Sequence, residues 1–314
     1  MTNNTFDFYD KTSLKSYNLD ESMRYQLNML GNLDVFTRKH CENVASITCR
    51  LCERLHCSKG FTEYCTICAY LHDIGKLFIP SEILQKPGKL TDEEYEIMKT
   101  HTTLGHKMCM DDLKLRPYAA GPLYHHEALN GSGYPNGLVK KDIPYEGQII
   151  RVADEYDAIV SKRQYKSHIG ISDTLKILIE NAMPSASSKG YNSSGIIKDP
   201  KLGKNNPIIV KALLKVVIED IEYEIYLTQS YIKDLKENIK RIEQIYKYKE
   251  KMDNAKREKD KSYYLEGIKI LLKPDETIEG IPTIYEEYNE AYKSRKAIID
   301  NLFNEIKIIK KLKV

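Results

Sequence analysis

The sequence predicts an all-α fold. Apolar residues recur at the three- and four-residue spacing of helices through most of the 314-residue chain. No segment shows the alternation of apolar and polar residues that is typical of a half-buried strand. Helix start signals separate these stretches, such as the capping box at Thr91–Glu94. We therefore expect successive helices joined by turns.

The first helices are predicted from their apolar faces. Residues 1–33 should form a helical lead, because Met23, Leu27 and Leu30 share one helix face. The next helix carries His40 among apolar residues of its buried face. One later helix is expected to end at Gly75, and another to lead into His101. A third should close at His125–Glu127, and a fourth should run from Tyr145 through Asp154.

A change in composition follows at residues 184–207, which are rich in serine, glycine, asparagine and proline. This composition is typical of a flexible surface segment. Two interpretations remain open, a lid over a functional site and a tolerated insertion, and we favour the insertion. The domain before residue 221 is expected to span 34–220 and to contain this segment.

Residues 221–314 are predicted to form a helical, coiled-coil-like extension. Apolar residues follow a heptad pattern from Ile218 to Tyr246, and a second series runs from Tyr285 to Ile309. Either these helices fold back on each other as a hairpin, or they pair with another subunit as a homodimer. The sequence leaves both open.

Charge and hydropathy exclude several classes of protein. The net charge is +3, with residues 201–314 at +4 and the first 200 residues at −1. This balance argues against binding to a nucleic-acid polymer. The N-terminus is polar, and no apolar run approaches the roughly 20 residues of a membrane helix. We therefore expect a cytoplasmic protein that does not enter a membrane.

Four of the seven cysteines form two pairs with zinc-ribbon spacing, Cys49/Cys52 and Cys65/Cys68. Both pairs fall in helix-patterned segments that lack the turn glycines of a zinc knuckle. Cysteine is a common small core residue. We favour buried thiols over a zinc site.

Seven histidine and aspartate residues recur over about 115 positions, inside stretches that otherwise resemble apolar helices. One such histidine is usually a satisfied core residue, but seven buried polar groups would be costly without partners. Imidazole suits iron, manganese and zinc, and carboxylates can bridge two ions. The set lacks cysteine, which favours a two-metal hydrolytic centre over a structural zinc site. Its members are His40, His72, Asp73, His101, His125, His126 and Asp154.

Asp73 is the expected bridging carboxylate. Adjacent members of the set are not spaced at i,i+4, so at least five helices must converge on the site. The remaining ligands divide between the two ions. We expect His40, His72 and Asp154 at the first ion and His101 and His125 at the second.

Three motifs carry a resemblance to the HD-GYP family, a branch of the HD phosphohydrolase superfamily. They are HDIGK at 72–76, HHEALNGSGYP at 125–135 and ADEYDA at 153–158. Together they are highly specific, whereas the HD or GYP motif alone would not be. The resemblance implies that the all-α fold is an HD-domain helical bundle, which the long helical extension follows. The catalytic segment is expected to come first in the chain, without a receiver or sensor module before it.

The resemblance also implies an enzyme that hydrolyses the bacterial signalling molecule cyclic di-GMP to pGpG, which family members often hydrolyse onward to GMP. Family members use two or three iron or manganese ions, and a hydroxide between two ions attacks phosphorus. Three-metal members have a glutamate where this chain has Phe36. We therefore expect two ions, with iron favoured over manganese, and His126 becomes the least certain ligand. Asn130 replaces an aspartate at a position that we interpret as structural.

Several residues are expected to act on the substrate. Lys76 lies one turn after His72 and could meet a phosphate, or it could serve as a cation at the helix end. Asp157 could orient the nucleophilic water or relay a proton. Arg163 and Lys166 match phosphate-binding cations of the family. Tyr134 either contacts a base or locks its loop. The other histidines, His56, His106 and His168, are expected at the surface or in packing.

Two alternatives to a cyclic di-GMP phosphodiesterase remain. One is a hydrolase for another cyclic dinucleotide, such as cyclic GMP-AMP, or for linear nucleotides. The other is a sensor that binds cyclic di-GMP without hydrolysing it and signals through the coiled coil. The complete ligand set favours catalysis.

Overall fold

The computed structural model describes residues 35–163, 170–184 and 196–314. In these ranges the chain forms helices and turns, with one isolated β-bridge between Asn130 and Val139 and no strand. The predicted all-α fold is confirmed. The expected helical lead at residues 1–33 lies outside the described residues.

The described residues form eleven α-helices and two 3₁₀ helices. The α-helices are α1 (Val35–Arg54), α2 (Lys59–Leu71), α3 (Ser81–Leu84), α4 (Asp92–Lys99), α5 (His101–Asp111), α6 (Ala120–Tyr124), α7 (Tyr145–Arg163), α8 (Ile171–Ala182), α9 (Pro207–Asp253), α10 (Glu258–Leu271) and α11 (Ile281–Ile309). The 3₁₀ helices are Ile74–Phe78 and Arg116–Tyr118.

The chain divides into two compact units. The first holds the described residues up to Val217 together with Lys311–Val314, and the second is Ile218–Lys310. In the first unit α1 packs against α2 and α7, and α5 packs against α6 and the first 3₁₀ helix. Among the described helices, none is long and apolar enough to cross a membrane.

One predicted helix start in the first unit is observed, and one predicted helix end is not. The Thr91 hydroxyl accepts from the Glu94 backbone N–H at 3.2 Å, and a Glu94 carboxylate oxygen accepts from the Thr91 N–H at 2.8 Å. This confirms the capping box. Gly75, predicted as a helix end, lies instead inside a 3₁₀ helix. A Cβ atom there would lie 1.9 Å from the His101 carbonyl oxygen, so glycine is required for close backbone approach.

The cysteines lie mainly in the core of the first unit. Six are buried, and Cys57 is half-buried. Among the described residues, the clusters with metal-ligand spacing contain histidine and aspartate but no cysteine. Burial is thus observed for six of the seven thiols, and the preference for thiols over a zinc site stays a prediction.

The second unit is a bundle of α9, α10 and α11 around a core formed by Ile242, Ile245, Ile268 and Ile281. The Tyr246 ring meets the Tyr285 ring edge-on at 5.5 Å between centroids. Farther along, the Arg295 guanidinium lies over the Tyr231 ring at 5.6 Å. This order of contacts makes α9 and α11 antiparallel. The two apolar series therefore meet within one chain as a hairpin, while the homodimer stays a prediction.

Candidate metal centre

The seven predicted ligands come together where five helices of the first unit meet. His40 lies on α1, and Asp154 lies on α7. The remaining five lie at helix ends: His72 and Asp73 follow α2, His101 begins α5, and His125 and His126 follow α6. Side chains from five separate helices therefore converge on one site, as the spacing of the set predicted.

Asp73 lies at the middle of the cluster and is buried. Its Oδ2 atom is 3.3 Å from His72 Nε2 and 3.8 Å from His40 Nε2. Its Oδ1 atom is 3.4 Å from His101 Nε2 and 3.9 Å from His125 Nε2. Each carboxylate oxygen therefore faces a different pair of histidines. This is the arrangement that a bridging carboxylate requires.

Backbone carbonyls orient the rings of His72, His101 and His125. In each case Nδ1 lies 2.7 to 3.0 Å from the carbonyl oxygen of a residue three or four positions earlier in the chain. A carbonyl oxygen only accepts hydrogen bonds, so Nδ1 carries the proton and Nε2 keeps its lone pair. This second-sphere arrangement is typical of histidines that bind metals.

The lone pairs fit a cation better than they fit one another. His72 Nε2 is buried and has no hydrogen-bond partner in the structure. His101 Nε2 and His125 Nε2 face each other at 3.2 Å, although both are acceptors in this tautomer. A buried polar atom without a partner costs about 1–3 kcal/mol. Divalent ions at the two groups would satisfy these nitrogens, so the residues fit a metal centre.

Two clusters of ligand atoms have metal-binding spacing: His40, His72 and Asp73 form one, and His101, His125 and His126 form the other. Within each cluster the ligand atoms lie within 4.8 Å of one another. His126 thus lies with the second group. Asp154 faces both, since Oδ1 is 3.0 Å from His40 Nε2 and Oδ2 is 3.8 Å from His126 Nδ1.

Burial and nearby charges shift the pKa values of two histidines in the cluster in opposite directions. Burial lowers the pKa of His40, but hydrogen bonds to Asp154 and Asp157 outweigh it and raise the pKa to about 10. Burial, reinforced by the neighbouring histidines, lowers the pKa of His125 to about 3. Without a metal, His40 is therefore protonated at neutral pH and His125 is not. A metal that binds His40 must displace a proton.

Asp157 lies on the opposite side of the His40 ring from the ligand cluster. Its Oδ2 atom is 2.6 Å from His40 Nδ1, and its Oδ1 atom accepts from Asn43 Nδ2 at 3.1 Å. From the sequence, Asp157 was expected to orient the nucleophilic water or to relay a proton. In the structure it lies behind the predicted ligand His40, where a carboxylate can orient the imidazole.

Lys76 lies in the 3₁₀ helix after α2, with its Nζ atom 2.6 Å from Asp73 Oδ2. Burial lowers the Lys76 pKa, but the Asp73 charge outweighs it and raises the pKa. Burial raises the pKa of Asp73, yet Lys76 and the neighbouring histidines hold it well below its usual range. Lys76 therefore interacts with the central carboxylate, rather than with the end of α2.

Tyr134 packs against a ligand. Its ring stacks on the His126 ring at 4.6 Å between centroids, and its backbone N–H donates to the His126 carbonyl at 3.2 Å. The Lys99 ammonium lies 5.8 Å from the centre of the Tyr134 ring. These contacts favour the loop-locking interpretation of Tyr134.

The loop after His126 depends on a residue to which the sequence analysis gave no role. Glu127 is buried, and its carboxylate accepts from the backbone N–H groups of Asn136 at 2.7 Å and Leu138 at 2.8 Å. The sequence signal that could have indicated this role is the position of the glutamate shortly before a glycine-rich loop. Asn130 is structural as predicted, because its Oδ1 atom accepts from the Ser132 N–H and hydroxyl groups.

Other predicted residues lie outside the cluster or outside the description. The Arg163 side chain and the whole of Lys166 and His168 are not among the described residues. Phe36 is 64% exposed on α1 and offers no ligand atom. His106 Nδ1 donates to the Ala119 carbonyl oxygen at 3.1 Å, as expected for a packing histidine.

Comparison with known proteins decides the family. The pattern that defines the HD domain matches residues 24–184, about half of the chain and all seven clustered residues. The chain belongs to the HD domain family. The resemblance to its HD-GYP branch is also borne out, since relatives named as cyclic di-GMP phosphodiesterases are 33% to 46% identical over 41% to 48% of this chain.

Three proteins similar to this HD domain chain differ in sequence identity and in the cyclic dinucleotide that their names mention. A cyclic di-GMP phosphodiesterase of Thermotoga maritima is 46% identical over 45% of this chain and 39% of its own length. The 3'3'-cGAMP-specific phosphodiesterase 1 of Vibrio cholerae is 31% identical over 51% of this chain and 38% of its own. The HD domain of L. monocytogenes PgpH, solved with cyclic-di-AMP, aligns at a TM-score of 0.44 and 17% identity, covering 64% of this chain and 98% of that one. The chain thus spans about two fifths of the length of the two curated relatives.

Proposed function

We propose that this HD domain chain is a metal-dependent phosphodiesterase that hydrolyses cyclic di-GMP to pGpG and onward to GMP. The observation that carries the proposal is the geometry at Asp73. Its two oxygens face separate histidine pairs, and backbone carbonyls fix the Nε2 lone pairs of His72, His101 and His125 toward the centre. The names of the relatives support the substrate class.

Two divalent transition-metal ions fit this ligand set, because imidazole and carboxylate ligands suit both iron and manganese. We keep iron as the first candidate and manganese as the second. The first would be held by His40, His72, Asp73 and Asp154, and the second by Asp73, His101, His125 and His126. Such ions act as Lewis acids on a phosphate oxygen and lower the pKa of water.

The side chains around this set have distinct tasks. Asp157 holds His40 in one orientation through Nδ1. Lys76 offsets the charge of Asp73 and supplies a cation at the edge of the cluster, where a substrate phosphate can share it. Tyr134 covers His126 with its ring, which limits the access of water on that side. Arg163 and Lys166 stay predicted phosphate contacts.

The base preference divides the candidates. A relative that acts on 3'3'-cGAMP shares nearly a third of the aligned residues, so cyclic GMP-AMP is the second candidate substrate. The sensor hypothesis requires binding without turnover. A cytoplasmic location and a homodimer through α9 and α11 remain further predictions.

Hydrolysis tests the proposal directly. Protein purified without oxygen is loaded with iron or manganese, incubated with cyclic di-GMP or cyclic GMP-AMP, and the nucleotides are separated by chromatography. We expect pGpG and then GMP, with faster turnover of cyclic di-GMP. Binding of cyclic di-GMP without product would overturn the proposal in favour of the sensor, and faster hydrolysis of cyclic GMP-AMP would reassign the substrate.

A further inference from the structure

Residues 196–206, which we name the strap, are fastened to the loop that carries His126. The Asn130 carbonyl accepts from the backbone N–H groups of Lys198 at 2.8 Å and Asp199 at 3.0 Å. The Lys204 carbonyl accepts from the Leu129 N–H at 3.0 Å. The backbone of the strap is therefore hydrogen bonded to the loop after His126, whereas residues 185–195 of the predicted flexible segment lie outside the described residues.

The strap also reaches α7 through a buried side chain. The Asn205 Oδ1 atom accepts from Arg151 Nε at 2.9 Å, and its Nδ2 atom donates to Glu155 Oε2 at 2.7 Å. The second Glu155 oxygen accepts from the Asn181 amide of α8. Asn205 is fully buried. Its amide thus lies between a cation and an anion, and only a group with both an acceptor and a donor serves both.

Arg151 connects this amide to the metal centre. Its Nη1 atom donates to the His126 carbonyl oxygen at 3.2 Å while its Nε atom is held by Asn205. Three histidines of the centre are oriented by carbonyls that their ring nitrogens contact. His126 is held differently, through its backbone carbonyl and by the ring of Tyr134. Movement of Arg151 would therefore displace the His126 ring relative to His101 and its group.

We propose that Asn205 is a positioning residue of the second metal group, which acts through Arg151 on His126. The strap is then the segment that fixes one predicted ligand from outside the motif. This inference rests on the proposed metal centre, and it does not depend on the identity of the substrate.

A neighbouring asparagine provides a matched control. Asn206 is also buried in the strap, and its Nδ2 atom donates to Gln148 Oε1 at 2.9 Å. Its Oδ1 atom accepts from the Ile208 N–H at the start of α9. Asn206→Ala removes the same atoms from the same segment, while the contact of Asn205 with Arg151 is kept.

The test is equilibrium dialysis of manganese against metal-free protein, with the bound metal counted per chain. Wild type is expected to bind two ions. For Asn205→Ala we expect the second ion to bind about 10-fold more weakly with the first unchanged, as is typical when an outer-sphere partner of a ligand is lost. Asn206→Ala should bind both ions as wild type does, even if its melting temperature falls.

Two results would overturn the inference. One is wild-type binding of both ions by Asn205→Ala, and the other is an equal loss of the second ion in Asn206→Ala. If Asn205→Ala does not fold, Arg151→Lys replaces it, because one ammonium cannot reach both His126 and Asn205. Two ions bound by a wild type that hydrolyses no cyclic dinucleotide would refute the proposed function and leave this inference standing.

Discussion

Buried polar groups are satisfied differently in the two units. In the second unit, Arg241 forms a two-pronged ion pair with Glu276 at 2.6 and 2.7 Å and donates to the Leu271 carbonyl, so that only its Nε atom lacks a partner. In the metal centre, the His72 Nε2 atom has no partner, and two other histidines face each other through acceptor atoms.

The difference indicates which region is complete by itself. The second unit uses its own residues to satisfy charge and pack apolar side chains, as expected of a structural bundle. The metal centre accepts a cost of unsatisfied lone pairs, which a divalent ion removes. Substitutions in the metal centre should therefore change metal binding and turnover, and substitutions in the second unit should change stability alone.

The largest effect is expected from Asp73→Ala. Loss of the carboxylate that faces both histidine groups should reduce hydrolysis of cyclic di-GMP to background and remove the bound metal, while circular dichroism still reports a helical protein. Asp111→Ala, which changes an exposed aspartate of α5, is the matched control and should keep full activity. Turnover at the wild-type rate by the Asp73 variant would refute the assignment.

Ile242→Ala should produce the opposite pattern. Ile242 is fully buried in the second unit, so its truncation should lower the free energy of unfolding by about 2–5 kcal/mol. Denaturant unfolding measures this loss, and dialysis should still find wild-type metal binding. A loss of metal in this variant would show that the two regions are not independent in the way we describe.

Asp157→Asn should weaken metal binding without abolishing it. The amide can still accept from His40 Nδ1, but it carries no charge to support that ring, so affinity at the first group should fall about 10- to 100-fold. Calorimetric titration with manganese gives the affinity. An unchanged affinity together with a lost pH-dependent step in turnover would instead restore the role at the nucleophilic water.

The smallest expected effect is the pH dependence of the Arg241–Glu276 pair. Its hydrogen bonds with Arg241 lower the pKa of Glu276, although burial opposes the shift. Stability from this pair is therefore full above the ordinary glutamate pKa, and it is lost as the pH falls through the lowered value. Glu276→Gln should be less stable than wild type at neutral pH, and the difference in unfolding free energy should shrink in acid. A difference that stays constant to low pH would contradict the ion pair.

The ligands of the centre could be predicted from residue type alone, because histidine and aspartate inside apolar helices need partners. The His72–Asp73 pair also predicted Asp73 as a bridging carboxylate, and the two oxygens of Asp73 face different histidine pairs. The role of Gly75 could not be predicted, since its contact with His101 depends on how two helices approach. The same holds for Arg151 and Asn205, which are 54 positions apart and belong to no periodic pattern. Hydrogen bonds between distant segments leave little local signal in a sequence.

The most direct test of the centre is an anomalous diffraction map of crystals loaded with manganese. Our account predicts two metal peaks per chain, one on each side of the Asp73 carboxylate, with His40 and His72 at one and His101 and His125 at the other. A single peak, or histidine rings turned away from any metal, would contradict it.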